Sequence, residues 1–425
     1  MADGNTSHGG CQIVASHEAT ISAGLKLMAR PNVAKMFIAY MVTYTGSAMA
    51  PIAMAFGVLD LTGSTADASI VIAAPTLASI IVLLIGGAIA DRTSRHKVIY
   101  IADGLSMFAQ LCLAWLFLSG HATIPLLTLF MLLNGVSIAF HMPALMGFIV
   151  QLVSAEELQS TNALLGTARN GAVAGGAALG GILVATVGAG YTLLIDALTF
   201  GLSAILIFTV KPNPQKPTPA ASIIMDLKLG WREFTSHTWL WTIVLQFSLI
   251  VAATEAVFGL IGPAVARDTM DGARDWGYIA SGFGIGTLLG GLVAMRIRPR
   301  FPMRLATILV FAFSGVSIAL YFAAPLWIII GSAIFSGLTG QIFAVLWYTT
   351  LQLKVPVEML SRVSAYDHLG SVALAPLGVV VAGIVYELYG AQTTLAIAVA
   401  TVVVPTACVL CVRDVRMMTT EPNNN

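Results

Sequence analysis

Several ionisable residues stand inside stretches otherwise made of Leu, Ile, Val, Ala and Gly: Asp103, Arg169, Asp196, Glu255, Asp367 and His368. Carried into hydrocarbon, a charged side chain costs about 2.5–3.5 kcal/mol on insertion scales, so it is expected to pair, to reach water or to work. Glu255 is the sharpest case. No basic residue is near it in sequence, and it falls about 24 Å into its apolar stretch at 1.5 Å per residue. A carboxyl in a partly dry cavity can take up a proton from one side and release it to the other, the chemistry of proton-coupled transport. It is also placed to touch a cationic substrate, or to extend toward outer water. Asp103 comes second as a coupling group and Asp196 third. Asp103, Arg169, Asp367 and His368 share a depth of about 9 Å from one end of their stretches. They are expected to form one charge network, unless each snorkels separately to water.

The elements that must position these residues are membrane helices. Of 425 residues, 57% are hydrophobic and 10% charged, with a mean hydropathy of +0.88. Soluble domains carry about 25% charged residues, so a soluble enzyme is excluded, and so is a disordered chain. The period-two alternation of a membrane barrel is absent. A span needs about 20 apolar residues. Twelve such stretches read as 33–58, 68–90, 97–118, 124–150, 162–187, 190–210, 239–262, 276–296, 303–323, 326–350, 363–386 and 390–412. The fold class is therefore an all-α membrane protein with twelve transmembrane helices.

The longest break, 211–238, opens K-P-N-P-Q-K-P-T-P, which cannot be helical. The M-D-L-K-L-G-W-R-E-F that follows mixes apolar and charged residues as a surface-lying amphipathic segment does. The domain reading is a tail over 1–32, a six-helix bundle over 33–210, the linker over 211–238, a second bundle over 239–412 and a tail over 413–425. With the N-terminus inside, 18 of the 21 Lys and Arg fall on the cytoplasmic side, Arg267 and Arg274 fall outside, and Arg169 lies within a span. That bias places both termini in the cytoplasm of a multi-pass inner-membrane protein. The first 30 residues hold Asp3, His8, His17 and Glu18 and no apolar segment, so no cleavable signal is expected.

The chain repeats itself. Shifted by 201 residues, Q-L-V-S-A-E-E-L-Q-S from Gln151 lies over Q-L-K-V-P-V-E-M-L-S from Gln352. G-A-I-A-D-R from Gly87 likewise lies over G-L-V-A-M-R from Gly291. Six spans in each half make the repeats parallel, with a pseudo-two-fold axis along the membrane normal. Two such halves can rock about a site between them.

Between spans 2 and 3, G-A-I-A-D-R-T-S-R-H-K resembles the G-x-L-A-D-R-x-G-R-[RK] signature of the major facilitator superfamily. Gly87, Ala90, Asp91, Arg92 and Arg95 match it, whereas Ile89, Ser94 and His96 depart. Gly176, Gly180 and Gly181 are similar to an antiporter-type glycine motif, with Ala177 in place of its proline. The junctions at 153–164 and 350–363 resemble those of the drug:proton antiporter branch that holds siderophore and macrolide exporters. This resemblance implies the major facilitator fold and export of a small organic compound, a drug or siderophore-like metabolite, in exchange for protons. An importer, an uncoupled facilitator and a non-transporting regulatory protein of the same fold remain open.

The same resemblance implies residue roles. Gly87, Asp91, Arg92 and Arg95 would form a cytoplasmic latch, with Asp91 at the N-terminus of span 11, where the helix dipole favours a carboxylate. Met295 replaces that acid in the second half, so the latch is asymmetric. Spans 1, 4, 7 and 10 would line the cavity with Tyr40, Tyr44, Asn134, Gln246, Phe247 and Gln341, and with His141 and Met142 deeper. Aromatics, Met and amides suit a bulky amphiphile, and no cluster of Lys and Arg awaits a multiply anionic one. Trp347 and Tyr348 are expected in an interfacial belt. Glycines 171, 175, 176, 180 and 181 need no ligand, because small residues let membrane helices approach closely.

Other classes fall away. No basic run exists to neutralise phosphates, so nucleic acid is not a partner. No phosphate-binding loop, zinc-protease motif or Ser-His-Asp set is present, so neither an enzyme nor ATP-driven transport is expected. Cys11 lies in the tail, and Cys112, Cys408 and Cys411 read as small helix residues rather than metal ligands. No cofactor or metal is expected. The partners are a small-molecule substrate, protons and the lipid bilayer, with the chain working as a monomer.

Overall fold

A computed structural model describes residues 27–92, 94–154, 157–211 and 223–419; side chains at 83–92, 159, 163, 223–227, 357–358 and 361 are not described. Residues 1–26 and 420–425 of the tails, the proline-rich 212–222 and the side chains of Asp91 and Arg92 therefore lie outside the described residues, as do the surroundings of Gly87. In chain order the elements are α1 (Pro31–Thr62), α2 (Thr65–Arg92), α3 (Arg95–Leu118), α4 (Ile124–Leu152), α5 (Leu158–Phe208) and α6 (Ile223–Ser236). There follow α7 (Thr238–Ala256), a π-helical turn (Val257–Ile261), α8 (Gly262–Thr269), α9 (Gly272–Ala294), α10 (Pro302–Leu309), a 3-10 turn (Val310–Ser314) and α11 (Gly315–Tyr321). The chain ends with α12 (Leu326–Lys354), α13 (Val357–Val372), α14 (Ala375–Cys411) and the short α15 (Arg413–Arg416).

Among the described residues, ten apolar helical stretches are long enough to cross a membrane, and two of them, of 49 and 50 residues, are long enough to cross it twice. As a straight rod, α5 would be about 76 Å long, against a hydrocarbon core of about 30 Å. It reverses at Gly188, whose φ of 85° and ψ of 172° only glycine adopts readily. Its two ends return to one place: Glu157, just before it, pairs with Arg30, and the Lys211 carbonyl, just after it, accepts the Asn32 side chain at 3.2 Å. Gly390 does the same in α14, with φ 80° and ψ 176°. Val363 and Val409, before and after that turn, share one apolar cluster. The two reversals stand 202 residues apart, one residue from the shift that relates the halves in sequence. Gly188 falls in the break expected at 188–189 and Gly390 just after the one expected at 387–389, consistent with the expected fold.

Local departures have identifiable causes. Pro263 lacks an N–H, and the preceding turn widens to π register over Val257–Ile261. The span expected at 303–323 is interrupted by the 3-10 turn at Val310–Ser314, for which no proline is responsible. The amphipathic segment forms α6, whose Phe234 is buried and whose Gly230 faces Arg362 and Tyr366 of α13. Exposed Trp231 crosses Tyr366 at a ring distance of 5.4 Å.

Among the described residues, the buried apolar core is shared between the halves on one side. One apolar cluster spans both halves on the side away from the termini, joining Phe56, Leu59 and Val71 to Trp276, Ile279 and Val379. On the side of the termini the described apolar core divides in two. One cluster contains Val33, Ile99, Phe148 and Ile207 of the first half, and the other contains Trp239, Met303, Leu351 and Val363 of the second. Close glycine contacts hold the shared side. A Cβ on Gly181 of α5 would stand 2.7 Å from the Gly277 Cα of α9, and one on Gly180 would stand 2.8 Å from the Met49 Cα. Gly176 likewise abuts the Thr45 carbonyl, while Gly171 and Gly175 meet nothing.

Candidate functional site

The first-half wall is built on α1, where Tyr40 and Tyr44 fall one turn apart and so share a face. Their ring centroids are 4.4 Å apart, and the Arg169 guanidinium of α5 lies 5.7 Å from the Tyr44 centroid. The Tyr44 hydroxyl reaches the Met142 sulfur of α4 at 3.5 Å. Next to this pair, Tyr40, Tyr44 and His141 line a narrow cleft with Ser203. The His141 Nδ1 stands 2.9 Å from the Asp103 Oδ1, a charge contact without the alignment of a hydrogen bond. The other oxygen of Asp103 accepts the Ser203 hydroxyl at 2.6 Å, and the carboxylate is fully buried. The Ser106 hydroxyl, one turn further along α3, lies within hydrogen-bond distance of the Asn134 Oδ1 at 3.0 Å and the Ser137 hydroxyl at 2.7 Å. A chain of polar groups thus runs through the centre of the first bundle.

The second-half wall is aromatic. Phe247 of α7 stacks on Phe343 of α12 at 4.3 Å, and Phe343 on Trp347 at 6.1 Å. The Trp347 indole N–H donates to the Asp367 Oδ2 at 3.0 Å. These residues, with Tyr348 and His368, line a half-enclosed cavity of about 190 Å³. Trp347 is only 5% exposed, so it packs inside the bundle instead of joining the interfacial belt expected for it, whereas Tyr348 is exposed.

Glu255 lies eight residues beyond Phe247 on α7, just over two turns along and about 80° around the helix from it. Ala252, Ala253 and Ala256 beside it are buried, while Glu255 itself is exposed on the surface of α7. It makes no hydrogen bond or ion pair among the described residues. Asp196 is fully buried against Gly46 of α1, with Thr199 as its one side-chain donor at 3.3 Å.

The structure brings together some of the residues singled out from sequence and separates others. Tyr40, Tyr44, His141 and Arg169 meet. Among the described residues no ion pair joins the four charges expected as a network: Asp103 pairs with His141, Arg169 lies over Tyr44, Asp367 takes the Trp347 indole, and His368 stands exposed on the cavity wall. Asn134 is buried among serines of the first bundle rather than facing the chamber. Gln246 is buried in the second, donating to Thr406 at 2.9 Å. Gln341 packs against Gly290 of α9. Arg95 donates to the Gly147 carbonyl at 3.0 Å, which ties the start of α3 to α4.

Sequence reasoning missed the contacts that close the far side. Glu387 of α14 accepts the Ser64 hydroxyl and the Ala66 N–H at the start of α2, and Arg267 donates to the Leu59 carbonyl. It also missed the Arg30–Glu157 pair, although Glu157 lies in one of the junction motifs. That pair is bidentate, at 2.9 and 2.7 Å. The Arg30 guanidinium, with the Ser154 N–H, holds the Glu157 carboxyl below its usual range.

Comparison with known proteins follows the same lines. The enterobactin exporter EntS of Escherichia coli O1:K1 is 26% identical over 374 residues, covering 83% of this chain and 86% of that protein. EntS of Shigella boydii serotype 18 gives the same figures. A mutant of the nucleoside transporter NupG superposes with a TM-score of 0.72 at 15% identity, covering 89% of this chain and 99% of that one. A bacterial homolog of the human lysosomal transporter Spinster, in an inward-facing and unoccupied conformation, gives 0.70 at 14%, covering 91% and 98%. At such identities the structures speak for the fold alone. The family described as Transmembrane secretion effector matches residues 23–424. The chain belongs to that family, within the major facilitator superfamily of membrane transporters.

Proposed function

We propose that this protein exports a small organic compound, a drug or siderophore-like metabolite, across the inner membrane by proton antiport with alternating access. The observation that supports the reading is Glu255, a carboxyl within a membrane span that makes no hydrogen bond or ion pair among the described residues, in a fold whose described core is shared between the halves on the side away from the termini. The Lys and Arg bias puts both termini in the cytoplasm, so the divided side loads from within. Rocking of the halves about the chamber would then expose Glu255 to the outside, where it gains a proton, and later to the inside, where it loses one. The curated relatives, named as exporters, support the direction. The Gly87-Asp91-Arg92-Arg95 motif would latch the cytoplasmic side once it closes. The transporter works as a monomer.

The test is proton release from everted membrane vesicles challenged with macrolides, tetracyclines, dyes and catecholates, for wild type and Glu255→Gln. A compound that dissipates the pH gradient in wild type alone supports antiport through Glu255. Equal responses remove Glu255 from the coupling path and leave Asp103 as the next group to test. No response from folded wild type overturns the antiport reading in favour of uncoupled transport.

A further inference from the structure

The aromatic cavity in the second half contains one acid, Asp367, 7% exposed. Its Oδ2 takes the Trp347 indole, and no other hydrogen bond or ion pair reaches it among the described residues. None of the described residues lining the cavity is Lys or Arg, and His368, which also lines it, makes no hydrogen bond or ion pair with Asp367 among the described residues. The rings of Phe247, Phe343 and Trp347 stack as a ladder along one wall, and Tyr348 stands exposed at its end. The nearby cation of the opposite half, Arg169, is held over Tyr44. A buried carboxylate without a cation is costly to keep, and removing one partner of a buried charge pair leaves most of that cost in place. Aromatic faces within about 6 Å of a cation attract it. Together they describe a receptor for a positive group carried on an apolar ring.

We propose that this cavity is the cation subsite of the transport chamber. It takes the ammonium, tertiary amine or quaternary ammonium of an aromatic amphiphile, with Asp367 as counterion and Phe343, Trp347 and Tyr348 as the surrounding rings. The ring of the ligand lies along Phe247, and the remainder extends toward Tyr40 and Tyr44 on the other wall. At about 190 Å³ the cavity accommodates one ring and its charged substituent, not a whole macrocycle. Substrates larger than this bind by a single cationic arm.

This inference rests on the reading of the chamber as a transport site, and its test needs no gradient. The probe is benzyltrimethylammonium, titrated by calorimetry into the purified full chain in nanodiscs, with benzylsulfonate as the oppositely charged match. The cation is expected to bind at least tenfold more tightly than the anion. Asp367→Asn should weaken the cation tenfold or more and leave the anion unchanged, and Asp367→Glu should retain the preference. On wild-type protein, saturating cation should protect Asp367 from carbodiimide modification, read by peptide mass, and benzylsulfonate should not. Equal binding of both probes, an unchanged cation affinity in Asp367→Asn, or absence of protection overturns the proposal. Each of those results leaves proton antiport through Glu255 standing, and a null proton-release experiment leaves this site standing.

Discussion

The Glu387 carboxylate accepts the Ala66 backbone N–H at 3.1 Å, and so caps a helix of the opposite half. The same oxygen takes the Ser64 hydroxyl at 2.8 Å, and the adjacent Thr65 hydroxyl donates to the Gly383 carbonyl at 2.9 Å. A carboxylate at a helix N-terminus meets unsatisfied N–H groups and the positive end of the dipole. This contact exists only while the far side is closed. Glu387→Ala should therefore shift the population toward far-side opening by about two- to fivefold, given that exposed charge contacts contribute about 0.5–1 kcal/mol. Distances between spin labels at His121 and Phe322 measure it; an unchanged distribution would remove Glu387 from the closure.

The glycine stripe on α5 offers an internal control. Gly181 touches the backbone of Gly277 across the halves, whereas Gly175 meets nothing within 4 Å. Gly181→Val should wedge α5 from α9 and cost about 1–3 kcal/mol, as overpacking does. Gly175→Ala should be neutral or slightly stabilising, since alanine is the better helix former. Thermal melting in detergent separates the two, and equal effects would count against the packing role assigned to Gly181.

Asp103 joins three helices through His141 and Ser203. Asp103→Ala would strand both partners inside the bundle, and removing one member of a buried pair typically costs about 3–5 kcal/mol. Asp103→Asn keeps an acceptor for Ser203 and should cost less. If the two variants melt together within a degree, the hydrogen bond accepted from Ser203 contributes nothing measurable.

The Arg30–Glu157 pair predicts a pH dependence. Hydrogen bonds from Arg30, and then from the Ser154 N–H, hold the folded-state carboxyl below its ordinary value of 4.5. A lowered folded-state value means that the pair contributes fully above the ordinary carboxylate range and is lost as pH falls through the lowered value. Wild type and Glu157→Gln should thus differ by a constant melting increment at neutral pH. That increment should shrink below about pH 4, where the wild-type carboxyl takes up a proton. An increment that grows on acidification would contradict the assignment.

The spans were legible because apolar runs separated by short polar breaks leave little choice, and even the turns at Gly188 and Gly390 fell within or beside breaks expected from sequence. Depth was legible too, being a count of residues. Azimuth was not. Asn134 and Gln246 sit at the depth expected of chamber residues but point into their own bundles. A helix apolar on every side offers no polar face by which to tell inward from toward the partner half. The same gap separated Asp103 from His141, two residues on neighbouring helices whose meeting depends on rotation about each axis. Trp347 read as an interfacial ring because only its distance from the span end was visible, while its partner Asp367 lay 20 residues away on another helix.

The glycine reversals also bear on how the chain is made. Each joins two membrane-crossing limbs without a loop, so neither limb can be anchored separately by a hydrophilic stretch on the far side. During synthesis the limbs on either side of Gly188, and later those flanking Gly390, are therefore expected to enter the bilayer together as hairpins. Translocation at those two places carries almost no polar chain across the membrane.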